Sequence, residues 1–167
     1  MDMEARGHSE HPEALRLWLR LLTCTQLVEK QVRTQLRERF DTTLPRFDLM
    51  AQLERNPEGL KMNELSRRMM VTGGNVTGIT DQLVAEGVVE RLEVDGDRRA
   101  YRVRLTARGH KVFSEMAGQH EAWIVAAFEA LSAREVESLY KLLGKVKQGQ
   151  HPPTPIGSSL PDNLETA

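Results

Sequence analysis

Apolar residues recur at helical spacing along most of this chain. Between residues 12 and 40 they fall into two stripes. Leu15, Leu19 and Leu22 make one; Leu17, Leu21, Cys24, Val28 and Val32 make the other. Pro12 suits a first helical turn, so the pattern predicts a long helix over 12–40, buried on two sides. In a chain this small the second side needs another lobe or another copy of the protein. A second helix starts near Pro45 with Thr43 or Leu44 at its cap, buries Phe47, Met50 and Leu53, and ends at Asn56-Pro57-Glu58-Gly59. A third, about 62–69, buries Leu65 and Met69, with Lys61 standing where a hydroxyl cap is expected. A fourth is capped by Thr72, turns Val76, Ile79 and Leu83 inward and stops at Gly87, which takes the left-handed conformation.

The period then shortens. Residues 88–93 and 100–105 read as two strands, with Asp95-Gly96 as the hairpin turn. Thr106 caps a fifth helix, about 106–129, that buries Val112, Met116, Trp123 and Phe128 or near neighbours. Ser132 and Glu135 form a capping box for a sixth, whose apolar positions are Val136, Leu139, Leu142, Leu143 and Val146. From Leu60 to Gly87 this is a helix-turn-helix with a short turn at Met70–Val71, and the hairpin after it is a wing. The predicted fold is mainly α with a small β-hairpin. A winged helix-turn-helix domain occupies 43–106, and a helical dimerisation lobe is built from 12–42 and 107–149. Residues 1–11 and 150–167 read as flexible tails, the second with four of the seven prolines and no apolar period.

Composition narrows the function. The net charge of −1 makes the whole chain no polyanion binder, but residues 61–108 hold nine Lys or Arg against seven Asp or Glu, a local net of +2. Basic charge is therefore concentrated where a nucleic acid would lie. One cysteine excludes an intrachain disulfide framework and a cysteine zinc site. No apolar run approaches the ~18 residues that span a bilayer. The acidic, polar start is unlike a signal peptide, so a cytoplasmic protein is expected. The five histidines have no metal-ligand spacing, the Gly73-Gly74 pair lacks the context of a phosphate loop, and Asp95 and Asp97 sit on an exposed turn unsuited to acid–base work. Neither an enzyme nor a metal or cofactor site is expected.

The outward positions of the fourth helix are Gly74, Asn75, Thr77, Gly78, Asp81 and Gln82. Most are small or hydrogen-bonding, where a merely solvated face would carry Lys and Glu. Asn and Gln pair with adenine edges, and Thr donates to bases or touches thymine methyls. Glycines at the helix start let backbone amides approach phosphate. The bland reading is a solvent-facing helix, but three glycines in or beside one helix, each costing ~1 kcal/mol in an interior, need a reason. At the wing tip Arg98 and Arg99 suit a minor groove, with Asp97 orienting Arg99. Arg67 and Arg68 end the third helix, either as phosphate contacts or as complements to its dipole.

The runs ELSRRMMVTGGNVTGITDQLVAEGVVER and DGDRRAYRVRLTARG resemble the MarR family of dimeric winged-helix transcriptional regulators. The likeness includes the Asp-x-Arg wing signature (Asp97, Arg99) and the Leu-Thr-x-x-Gly that closes it (Leu105, Thr106, Gly109). TLPRFDLM, residues 43–50, matches the family's second helix, and the likeness extends over about 12–148. It implies a homodimer held by terminal helices on a pseudo-palindrome in double-stranded DNA. The wing arginine would lie in the minor groove, with Thr72, Asn75 and Thr77 as base or phosphate contacts. The VTGGNVTGI form of the fourth helix resembles regulators of aromatic-acid catabolism, some of which respond to hydroxycinnamoyl-CoA or benzoyl-CoA thioesters. That implies a repressor released by a small aromatic acid or its CoA thioester. Basic residues for such an effector would come from His11, Arg16, Arg20 and Arg46, and aromatic walls from Trp18 and Phe47; the alternative for these is surface arginines and core rings.

Two other functions compete. A cysteine in the first helix serves some MarR relatives as a redox sensor. Here that position aligns near Leu19, more than a turn before Cys24, and both tyrosines, Tyr101 and Tyr140, lie elsewhere. Cys24 shares a stripe with leucines and is expected to be a buried, inert thiol. A winged helix used for protein contacts would show an apolar or acidic fourth helix, which this one is not.

Overall fold

The computed structural model describes residues 12–69, 75–94 and 97–150, with only the backbone for 94 and 97–100. Six helices and a three-stranded antiparallel sheet follow in the order α1 (Pro12–Phe40), α2 (Leu44–Glu54), β1 (Leu60–Lys61), α3 (Met62–Arg68), α4 (Val76–Ala85), β2 (Val89–Val94), β3 (Asp97–Leu105), α5 (Ala107–Ala127) and α6 (Ala133–Gln148). The fold divides after Ala127, so that α6 belongs to a second unit.

In the first unit the core forms around α2. Phe47, Leu49, Met50 and Leu53 are buried there against Leu65, Leu83, Val103, Leu105 and Met116. Thr43 caps α2, its hydroxyl accepting from the Arg46 amide, with a proline at the start as expected. The chain reaches that cap through Asp41, whose left-handed φ of 48° turns the Asp41 and Thr42 amides back onto the Arg37 and Leu36 carbonyls. Only the far end of α1 enters the core: Val28, Val32, Leu36 and Phe40, four residues apart, make its inner stripe.

Several expectations for α1 are therefore corrected. Leu15 and Leu17 are exposed, and Cys24 is exposed instead of buried. Leu19, Leu21 and Leu22 are half-buried, and the second side of the helix is the one that needs another lobe or another copy of the protein. Trp18 is 58% exposed, which removes it from the core. On α5, Phe128 is exposed just past the helix end at Ala127, and its near neighbour Ile124 packs against the core instead.

The sheet has one strand more than the predicted hairpin. β1 pairs Leu60 with Val103 and Lys61 with Arg102, giving the order β1-β3-β2. Gly59 makes this possible. It has φ 82°, and a Cβ there would stand 2.9 Å from the Val103 carbonyl oxygen. β2 and β3 pair regularly from Val89–Leu105 to Glu93–Tyr101, then skip to Val94–Asp97. Residues 98–100 thus have no partner in β2, a bulge that holds both predicted wing arginines. The Asp95-Gly96 turn and the Met70–Val71 turn lie outside the described residues.

The Leu-Thr-x-x-Gly motif acquires a physical reason. Leu105 is buried, and the Thr106 hydroxyl caps α5 by accepting from the Gly109 amide at 3.0 Å while donating to the Gly87 carbonyl at 2.8 Å. Gly109 then lies so close to the Val88 carbonyl that a Cβ would be 2.0 Å from its oxygen. The motif fastens α5 to the exit of α4. Along α5, Phe113 stacks on Phe47 at 5.4 Å and His120 lies 4.8 Å from the same ring. Trp123 is buried beside Phe40.

In the second unit α6 begins with the predicted capping box: the Glu135 carboxylate accepts from the Ser132 amide at 2.8 Å and the Ser132 hydroxyl accepts from the Glu135 amide. The Ser132 hydroxyl and amide together hold the Glu135 carboxyl below its ordinary range. Val136, Leu139, Leu142, Leu143 and Val146 are all exposed. Among the described residues no helix is long and apolar enough to cross a membrane.

Candidate nucleic-acid interface

α3 and α4 build the candidate interface. α3 has no hydroxyl cap, and Glu64 replaces it: its carboxylate accepts from the Lys61 amide at 3.0 Å. This bond, helped by Arg102 and Arg68, holds the Glu64 carboxyl below its ordinary value. At the other end of α3 both arginines are exposed and their side chains are partly engaged. Arg67 donates to the Asn63 carbonyl, and Arg68 donates to the Asn56 side chain at 2.8 Å.

α4 starts later than predicted. Its cap is Asn75, whose side-chain oxygen accepts from the Gly78 amide at 3.0 Å. Asn75 is as good a cap as Thr72 by residue type. Thr72 and Gly74 lie outside the described residues. Two of the expected site residues also have local roles. The Asn75 oxygen is occupied by capping, leaving its amide donors. Gly78 has a local reason to be glycine, since a Cβ would stand 3.0 Å from the Asn75 amide nitrogen.

The inward face of α4 is Val76, Ile79 and Leu83, as expected, together with Thr80, which is fully buried and donates to the Val76 carbonyl at 2.7 Å. The outward face presents Asn75, Thr77, Asp81 and Gln82 to solvent. Among the described residues the side chains of Thr77 and Gln82 make no hydrogen bond. Asp81 is different: it pairs with Arg91 of β2, and the Arg91 guanidinium lies 4.9 Å over the Tyr101 ring of β3. Sequence reasoning missed Arg91, because the contact joins elements ten residues apart that only the fold brings together. For Asp97, Arg98 and Arg99 only the backbone is described, on β3 and its bulge.

The residues expected at an effector site do not gather. His11 lies outside the described residues. Arg16, Trp18 and Arg20 are exposed along the first half of α1, while Phe47 is packed beneath Phe113 and His120. Arg46 lines a cavity, about 420 Å³ in volume, between the end of α1, α2, the end of α4 and α5. Its walls are Phe40, Met50, Leu83, Val88, Val112 and Met116, with Asp41, Thr42 and Glu86 also on the lining. Arg46 pairs through Nη2 with Glu86, the residue that ends α4, while its Nε is buried without a hydrogen-bond partner.

Comparisons with known proteins agree with this architecture. The MarR family profile matches residues 40–100. The HTH-type transcriptional regulator YpoP of Bacillus subtilis is 28% identical over 127 residues, 74% of this chain and 89% of that protein. A mutant MarR of E. coli, solved in complex with operator DNA, superposes with a TM-score of 0.68 at 26% identity, covering 83% of this chain and 98% of that one. A MarR family transcriptional regulator from Silicibacter pomeroyi superposes with a TM-score of 0.71 at 31% identity, covering 86% of this chain and all of the other. With a likeness of that degree over an entire solved chain, this protein belongs to the MarR family of transcriptional regulators.

Proposed function

We propose that the protein is a homodimeric repressor that binds a pseudo-palindromic operator in double-stranded DNA. Residues 43–106 form the DNA-binding part, and 12–42 with 107–149 the dimerisation lobe. Each α4 lies in a major groove, the two copies about one helical turn (~34 Å) apart. The observation that supports this best is the outward face of α4, where Thr77 and Gln82 offer unengaged hydrogen-bonding groups. Gln82 is suited to bidentate pairing with adenine, and Thr77 to a base edge or thymine methyl. Arg67 and Arg68 reach phosphates, as do backbone amides near Thr72 and Gly74. Arg99, oriented by Asp97 and helped by Arg98, enters the minor groove; the register shift that leaves both arginines unpaired with β2 supports a special role for this stretch. The E. coli MarR complex with operator DNA is a precedent within the family.

The effector is a small aromatic acid held in the cavity beside Arg46. The volume lies within the ~300–1,000 Å³ of ordinary ligand pockets. It accommodates a single-ring acid whole, whereas a CoA thioester would have its nucleotide and most of its arm outside. Asp41 and Glu86 share the lining, so an anion needs the positive charge of the Arg46 guanidinium. A carboxylate there competes with Glu86 for the guanidinium and loosens the end of α4, which lowers operator affinity through the ligand's preference for the loosened state. Redox sensing through Cys24 gains nothing from its exposure, since no charged side chain pairs with it among the described residues.

The test is fluorescence anisotropy with duplex from the protein's own upstream region, titrated with hydroxycinnamates, benzoates and their CoA thioesters. Release by a free acid, lost in Arg46→Gln, is the expected result. Release by thioester alone would move the site out of the cavity, and no specific binding would overturn the reading.

A further inference from the structure

We propose that Asp81 and Arg91 are positioning residues for DNA recognition, with Arg91 masking a carboxylate that α4 would otherwise present bare to the phosphates. The inference rests on the reading of α4 as the element in the major groove. Asp81 is the sole acidic residue of α4 and stands on its outward face beside Gln82. A duplex carries one negative charge per about 1.7 Å of its axis, so a bare carboxylate on a helix entering it is repelled. Here the carboxylate is covered by Arg91, and Arg91 is itself held over Tyr101. The three residues link α4 to β2 and β3, and so fix the helix relative to the root of the wing.

Their exposure argues against a role in folding alone. The two side chains are 41% and 55% exposed, and pairs so accessible to water contribute little to stability. The same surface gives the pair a role on DNA, where both the sign of the charge and the angle between helix and wing matter. Neighbouring charges do not replace Arg91: Arg104 is engaged by Glu90, and Glu93 on the same hairpin adds a further negative charge.

An arginine at this place has a simpler use, as a direct phosphate contact, and a double-mutant cycle separates the two. Full-length wild type, Asp81→Asn, Arg91→Gln and the double variant are titrated against operator and against unrelated duplex over a range of salt concentrations. Masking predicts that Arg91→Gln weakens operator binding by about tenfold, that Asp81→Asn costs much less, and that the double variant regains the affinity of Asp81→Asn. A direct contact predicts instead that the double variant is as weak as Arg91→Gln, which overturns the proposal; unchanged affinity in all variants overturns it too. Thermal unfolding of each protein controls for folding. Arg91→Lys, which keeps the charge but loses the planar fork, serves if Arg91→Gln does not fold and is expected to fall between the two. Gln82→Ala in the same titration tells the failures apart. If it loses operator affinity while the Asp81 and Arg91 variants do not, only the masking role is lost; if it too is silent, α4 is not the reading element.

Discussion

His120 shows what one side chain contributes beyond its shape. It lies against Phe47 on one side and Trp123 on the other. Burial among these rings lowers its pKa from the ordinary 6.5. The unfolded chain therefore takes up a proton near 6.5 while the folded one resists it. Stability is fully present above that pH and falls as the pH drops toward the folded value. Denaturant unfolding of wild type is expected to show this loss in the pH range just below 6.5, and His120→Phe, which keeps an aromatic ring in the stack, to flatten it. An equal slope in both proteins would assign the effect elsewhere. Glu64 and Glu135, both lowered from 4.5, lose their contributions only at more acid pH and leave this window clean. Nothing in the spacing of His120 marked it, since the ring stack depends on α2 and α5 meeting.

α4 is where local and functional demands meet on the same atoms. Asn75 caps the helix with its oxygen and retains amide donors for DNA. Asn75→Ala should cost about 1 kcal/mol of stability and weaken operator binding. Asn75→Asp keeps the acceptor and hence the stability, but replaces donors with a negative charge, so it should bind operator much less well than wild type. Thermal unfolding beside anisotropy checks both; equal operator affinity for Asn75→Asp would show that only the cap matters. The helices were legible from apolar period and caps: α2 and α6 begin where Thr43 and Ser132 say they should. The start of α4 was not, because Thr72 and Asn75 are both good caps by residue type. β1 escaped as well, since two residues have no period and its existence depends on Gly59 letting the chain approach β3. The wing was legible as a hairpin, its bulge only from the pairing.

For the whole molecule, the proposed dimer accounts for surfaces that one protomer leaves bare. α1 exposes Leu15, Leu17, Trp18 and Leu27, and α6 exposes Val136, Leu139, Leu142, Leu143 and Val146. The stripes were visible in the sequence, but whether a stripe faces its own core or a second copy is not written in spacing, which is why Cys24 and Trp18 were misplaced. Leu139→Asp with Leu143→Asp is expected to shift the protein from dimer to monomer in sedimentation velocity, and to cost most of its operator affinity by uncoupling the half-sites. A variant that stays dimeric would remove α6 from the interface. The central claim is narrower than assembly: the outward face of α4 reads base edges. Its most direct test is the ratio of operator to unrelated-duplex affinity for wild type and Gln82→Ala at one salt concentration. Loss of a bidentate base contact predicts that operator affinity falls by about 1–3 kcal/mol while binding to unrelated duplex is unchanged. An unchanged ratio would contradict the account.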